Sequence, residues 1–137
     1  SFQPDIILDV AHNPHAAKSL AINLRNTKPT GKTIAVFAML ADKDIAGVVK
    51  AIAGEIDVWH VAGIQNARGA DAELIKSFVN AELPNSVIQL FNHVENAYHQ
   101  ACIDANENDR IIILGSFFTV AEVMRVLQTA TYKNRTK

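Results

Sequence analysis

A chain of 137 residues, 49% apolar and 20% charged, has the length and composition of one globular domain with a buried core. Its formal charge of −1 argues against a nucleic-acid partner, which would call for a basic face, and no apolar run nears the roughly 18 residues of a membrane span. Cys102 stands alone, so no internal disulfide forms, and Ser1-Phe2-Gln3-Pro4-Asp5 lacks the basic-then-apolar layout of a signal peptide; a cytoplasmic protein is expected.

Five short apolar runs rich in Val, Ile and Phe follow one another: Ile6 to Leu8, Thr33 to Met39, Ile56 to Val61, Val87 to Phe91 and Ile111 to Leu114. Runs so little interrupted by polar residues suit strands buried on both faces of a parallel sheet. Segments of helical period follow each strand. Ala17, Leu20, Ala21 and Leu24 recur at the spacing of one helix face, as do Ile45, Val48, Val49 and Ile52. Asp71 to Ala81 is less regular, with Leu74, Ile75, Phe78 and Val79 on one side. Val94, Ala97, Tyr98 and Ala101 restore the period, as do Val120, Val123, Met124 and Leu127.

Local punctuation agrees. Asn13-Pro14 sets a capping side chain before a proline at the first helical position, and Asp44 is placed to cap the second helix. Asn92 with Glu95, and Thr119 with Glu122, have capping-box spacing, while Gly31 and Gly54 fall where helices should have ended. The expected fold is α/β, a Rossmann-like three-layer sandwich: a mostly parallel sheet of five to six strands with helices on both faces. It should occupy residues 1–130, with 131–137 a frayed basic tail.

In such a sheet ligands bind beyond the carboxyl ends of the strands, so the residues just after each strand carry the functional information. In Asp9-Val10-Ala11-His12-Asn13-Pro14, a strand-end carboxylate suits a ribose diol, and the imidazole three residues on suits a base or a carboxylate. The helix opening at Pro14 presents N–H groups to anything anionic. The competing reading is that Asp9 and Asn13 only cap backbone. His12 and His15 lack a third ligand nearby, so no metal site is expected. Lys43, within Ala41-Asp42-Lys43-Asp44, can neutralise a carboxylate or phosphoryl group, or simply belong to a solvated charge cluster. Gly115-Ser116 offers close backbone approach and a hydroxyl beside a helix start, or a plain turn. Arg68 on its long loop reads as exposed, His60, His93 and His99 as structural, and Cys102 as a small buried hydrophobe. Gly-x-x-x-x-Gly-Lys-Ser/Thr and Gly-x-Gly-x-x-Gly are both absent, so no phosphate cradle is visible.

Three segments in register, Leu8-Asp9-Val10-Ala11-His12-Asn13-Pro14-His15, Met39-Leu40-Ala41-Asp42-Lys43-Asp44 and Gly115-Ser116-Phe117-Phe118-Thr119-Val120, resemble one known family. It is the C-terminal, glutamate-binding domain of the dihydrofolate synthase/folylpolyglutamate synthases, relatives of the Mur ligases. The similarity runs from about Phe2 to about Leu127, with Ala67 standing where the family usually has proline. The resemblance implies a domain of an ATP-dependent amide ligase. In such an enzyme the carboxylate of dihydropteroate or of a folyl-glutamate becomes an acyl phosphate, which the amine of L-glutamate then attacks. It further implies that Asp9 and His12 face ATP, and that His12, Lys43 and Ser116 face L-glutamate. ATP and Mg²⁺ would serve the full-length enzyme, with the phosphate loop and the Mg²⁺ ligands on a missing N-terminal ATPase domain. This chain alone would then be inactive, no residue in it being assigned a certain catalytic role. The alternative expectation is a stand-alone domain that binds a small anion as a sensor or interaction module.

Overall fold

Residues 3–135 are described in the computed structural model, side chains through Thr129. The strands are β1 (Asp5–Leu8), β2 (Thr33–Phe37), β3 (Val58–Ala62), β4 (Val87–Phe91) and β5 (Arg110–Leu114). The helices are α1 (Pro14–Asn26), α2 (Ile45–Ile52), α3 (Ala72–Glu82), α4 (Val94–Asp104) and α5 (Phe117–Arg135), with a short 3₁₀ turn, Ala53–Glu55, after α2. Residues 131–135 of the expected tail therefore carry helical backbone, while Thr136 and Lys137 lie outside the described residues.

The strands form one sheet in the order β1-β5-β2-β3-β4, and all its pairings are parallel. Alternation along the central strands divides the core. Ala35, Phe37, Trp59, Val61, Ile112 and Leu114 face one side, where the buried stripes of α1, α2 and α3 pack. Ile34, Val36, Ile111 and Ile113 face the other, under α4 and α5. Burying each Leu or Ile of these stripes stabilises the fold by about 1.5–3 kcal/mol.

The expected stripes on α1, α2 and α4 are the buried ones. Burial on both faces holds for the interior strands but not for β1 and β4, which are the sheet edges; Ile6 and Leu8 remain 37% exposed. On α5, Val120 and Val123 are buried but Met124 faces solvent, and Leu74 is similarly outside the α3 stripe. Cys102 is exposed, contrary to expectation: it lies about 100° around the helix from buried Ala101.

Capping also departs from the sequence reading in two places. Helix α4 begins after His93, which makes no side-chain cap, so Asn92 and Glu95 do not form a box. Helix α5 begins at Phe117, which puts Thr119 inside its first turn, and Glu122 pairs with Arg125 instead. Asn13 and Asp44 do cap as expected, accepting from Ala16 N and Gly47 N at 2.8 and 2.9 Å. At the opposite end of the sheet, the buried Arg110 guanidinium donates to Thr33 Oγ1 and to the Leu24 and Thr27 carbonyls, tying the negative end of α1 to β5.

Candidate functional site

The chain enters α1, α2 and α3 on one face of the sheet and α4 and α5 on the other. Because β5 lies between β1 and β2, the loops leaving β1 and β2 diverge from the loop leaving β5. Such divergence opens a crevice at the carboxyl edge. A cavity of about 240 Å³ lies there. His12, Lys43, Arg68 and Ser116 bring polar groups to it, while Leu40, Phe117 and Phe118 form its apolar wall.

A larger crevice, about 660 Å³, covers the ends of β3 and β4, whose connections also diverge. Its lining includes Asp71 and Glu73 but no Lys, Arg or His. The smaller cavity is therefore the one suited to an anion.

Three of the four residues expected to converge line that cavity: His12, Lys43 and Ser116. Asp9 stands at the exit of β1, three residues before His12, and is not part of the lining. Its N–H continues the ladder to Ile113 O at 2.9 Å, and its Oδ1 accepts from Ala11 N at 2.8 Å, leaving Oδ2 to an outside donor. Half-buried His12 sets Nδ1 2.8 Å from Val10 O. A carbonyl only accepts, so Nδ1 carries the proton in this contact, and Nε2 is the ring's remaining nitrogen for a ligand. The His12 ring also lies 5.9 Å from that of Phe117.

The start of α1 offers less to an anion than expected. Pro14 has no N–H and Ala16 N is taken by Asn13, which leaves the His15 N–H. The start of α5 offers more. Gly115 adopts φ +118°, and a Cβ there would lie 2.1 Å from Ala38 O, so only glycine permits this turn. Ser116 then caps the helix, its Oγ accepting from Thr119 N at 3.0 Å. Thr119 Oγ1 donates to Ala38 O, so the Ser116 proton must go to Thr119 Oγ1, 2.8 Å away. Ser116 is a buried residue whose hydroxyl is hydrogen-bonded within the protein. Phe117 and Phe118, which line the cavity, are the first two residues of α5, where backbone N–H groups have no carbonyl partner within their own helix.

Arg68, read from the sequence as merely exposed, also belongs to the lining. A backbone zipper brings it there: Leu40 bridges Gly69, Ala41 N donates to Arg68 O at 2.7 Å, and Ala70 N donates to Met39 O at 2.9 Å. Its Nη2 lies 3.1 Å from Asp42 Oδ2. That bond, with the Arg68 charge, holds the Asp42 carboxyl below its usual range. Lys43 has no salt-bridge partner among the described residues. Nor do three or more His, Cys, Asp or Glu gather among them as a metal set. No described helix is long and apolar enough to cross a membrane.

A parallel sheet whose divergent loops bring two cationic side chains and the start of a helix to one cavity is an α/β sandwich with its candidate site at the carboxyl edge. The chain belongs to the Mur ligase glutamate ligase domain family, which matches residues 2–117. It is 40% identical over 128 residues to the dihydrofolate synthase/folylpolyglutamate synthase of Escherichia coli (strain K12), covering 93% of this chain and 29% of that one. The bifunctional folylpolyglutamate synthase/dihydrofolate synthase of Yersinia pestis, solved with AMPPNP and Mn, superposes with a TM-score of 0.82 at 43% identity, covering 93% of this chain and 30% of that one. A structure of such an enzyme with Mn, AMPPNP and L-glutamate bound gives 0.80 at 43% identity, with 93% and 30% covered. The chain thus spans just under a third of the length of these relatives.

Proposed function

We propose that this chain is the glutamate-side domain of an ATP-dependent ligase that joins L-glutamate to dihydropteroate or to a folate. The observation that carries the reading is the cavity beyond β1, β5 and β2, which His12, Lys43 and the first residues of α5 line together. Lys43 and the helix N-terminus neutralise a carboxylate of the incoming amino acid. His12 Nε2, an acceptor when the ring is neutral, receives a hydrogen bond from its amino group and helps orient that amine. Ser116 contributes through the helix it caps rather than through its hydroxyl proton. Asp9 Oδ2 accepts from the ribose of ATP at the β1 edge of the same rim.

ATP, with its Mg²⁺, would activate the pteroate or folate carboxylate as an acyl phosphate. The relatives solved with AMPPNP and Mn support a nucleotide and a divalent ion in the whole enzyme. The cradle for the phosphates and the metal is assigned to a separate N-terminal ATPase domain, since the sequence contains neither phosphate-loop motif. Two domains closing on one another would hold amine and acyl phosphate in line and exclude water, which otherwise hydrolyses the activated acid.

The test is complementation. Purified alone, the chain should show no glutamate-dependent ATP hydrolysis with a pteroate substrate; joined to a phosphate-loop domain of the family, it should support turnover. ATP turnover by the isolated chain would overturn the proposal. Micromolar binding of L-glutamate or ATP by the isolated chain would favour a stand-alone binding module instead.

A further inference from the structure

We infer that Arg68 is a second carboxylate anchor of the amino-acid site, held in reserve by Asp42 until a dicarboxylate displaces it. The inference rests on the proposed function and assigns a specificity role within it.

Three observations carry it. The backbone beneath Arg68 is held by hydrogen bonds: the zipper to Leu40 and Ala41 is joined by the Asn66 turn, in which Arg68 N donates to Asn66 Oδ1 at 2.7 Å. Gly69 packs so closely that a Cβ would sit 2.2 Å from Ile64 O, so a side chain there would force this turn apart. The side-chain pairing above it is weak by contrast. Arg68 and Asp42 side chains are 61% and 58% exposed and share a single contact, Nη2 to Oδ2. Solvent screens such a pair, and most of the guanidinium fork remains open.

The third observation is the charge count around the cavity. Lys43 and Arg68 both border it, and Asp42, next to Lys43 in the chain, takes up Arg68. A ligand with one carboxylate can be satisfied by Lys43 and the start of α5. A ligand with two can also take Arg68 through a bidentate contact, which Asp42 in its present single contact does not make. Asp42 acts as an internal competitor, and the cavity discriminates by whether the newcomer brings a second carboxylate. Glutamate meets that requirement, and glutamine does not.

The experiment uses the complete ligase, with steady-state kinetics in L-glutamate and L-glutamine for wild type, Arg68→Ala and Asp42→Asn. Arg68→Ala should raise the KM for glutamate about tenfold with kcat nearly kept, and should narrow the preference for glutamate over glutamine. Asp42→Asn should lower the KM for glutamate several-fold, a change that loss of a merely structural ion pair would not produce. Thermal melts confirm that both variants fold. If wild type is active and Arg68→Ala leaves the glutamate KM unchanged, this inference fails while the ligase reading stands. The inference also fails if both substitutions raise KM alike. Absence of any glutamate-dependent turnover by wild type would sink the ligase reading and this inference with it.

Discussion

Ser116 and Thr119 lock one another: the serine hydroxyl donates to Thr119 Oγ1, and the threonine N–H donates back to Ser116 Oγ. Thr119 passes its own proton to Ala38 O, the carbonyl directly beyond β2. One short relay therefore fixes the start of α5, whose first two residues line the cavity, against the neighbouring strand.

Breaking that lock should show first as lost stability. Ser116→Ala removes the cap of α5 and should cost about 1 kcal/mol, whereas Ser116→Gly should cost only a few tenths. A thermal melt would register the alanine variant as a drop of roughly 3–5 °C. If Ser116→Ala melted like wild type, the capping role would be wrong.

Gly115→Ala should be harsher. The residue sits at φ +118° and its Cβ would meet Ala38 O at 2.1 Å, so backbone strain and a clash with main chain combine. The expected loss exceeds about 2 kcal/mol by urea denaturation. Gly54→Ala is the control, since a Cβ at Gly54 meets nothing within 4 Å.

Asp9→Ala in the complete ligase should weaken ATP use. Removing a charged acceptor costs about 1.5–3 kcal/mol, equivalent to a rise of roughly 10- to 160-fold in the KM for ATP. The KM for glutamate should change far less, because Asp9 lies outside the cavity lining. Initial rates with each substrate varied in turn would separate the two effects.

Asp109 should govern part of the acid stability. Burial opposes its ionisation, but hydrogen bonds from Asn106 N and Lys32 N and the Lys32 ammonium outweigh that and hold its carboxyl below the usual range. A depressed carboxyl contributes fully above its unfolded pKa, near 4, and the contribution is lost as pH falls through the folded value. Asp109→Asn should therefore destabilise at pH 7 by about 1–3 kcal/mol and flatten the decline in stability below about pH 4, as followed by urea melts across pH.

Much of this was legible in the residues. Helix periods on α1, α2 and α4 named their buried faces because a 3.6-residue repeat leaves little choice of side. The carboxyl-edge rule singled out His12, Lys43 and Ser116, which line one cavity. Arg68 lies on the loop after β3 that the same rule marks, but it read as merely exposed because its place depends on a loop-to-loop zipper with Leu40 and Ala41, which local sequence does not encode. The start of α5 was misread because Thr119-x-x-Glu122 and Ser116-x-x-Thr119 both look like caps; the contact to Ala38 O, a tertiary one, selects the second frame.

The strand order has a consequence for how the chain is made. Among the described residues β1 pairs only with β5, Asp5 with Arg110, across roughly a hundred residues of intervening chain. While β2, β3 and β4 can join in the order they leave the ribosome, β1 must wait, and the slot beside β2 stays vacant until the final strand arrives to fill it. A chain that stops at Leu114 lacks Ser116, Phe117 and Phe118, so the rim they share with His12 and Lys43 cannot be completed.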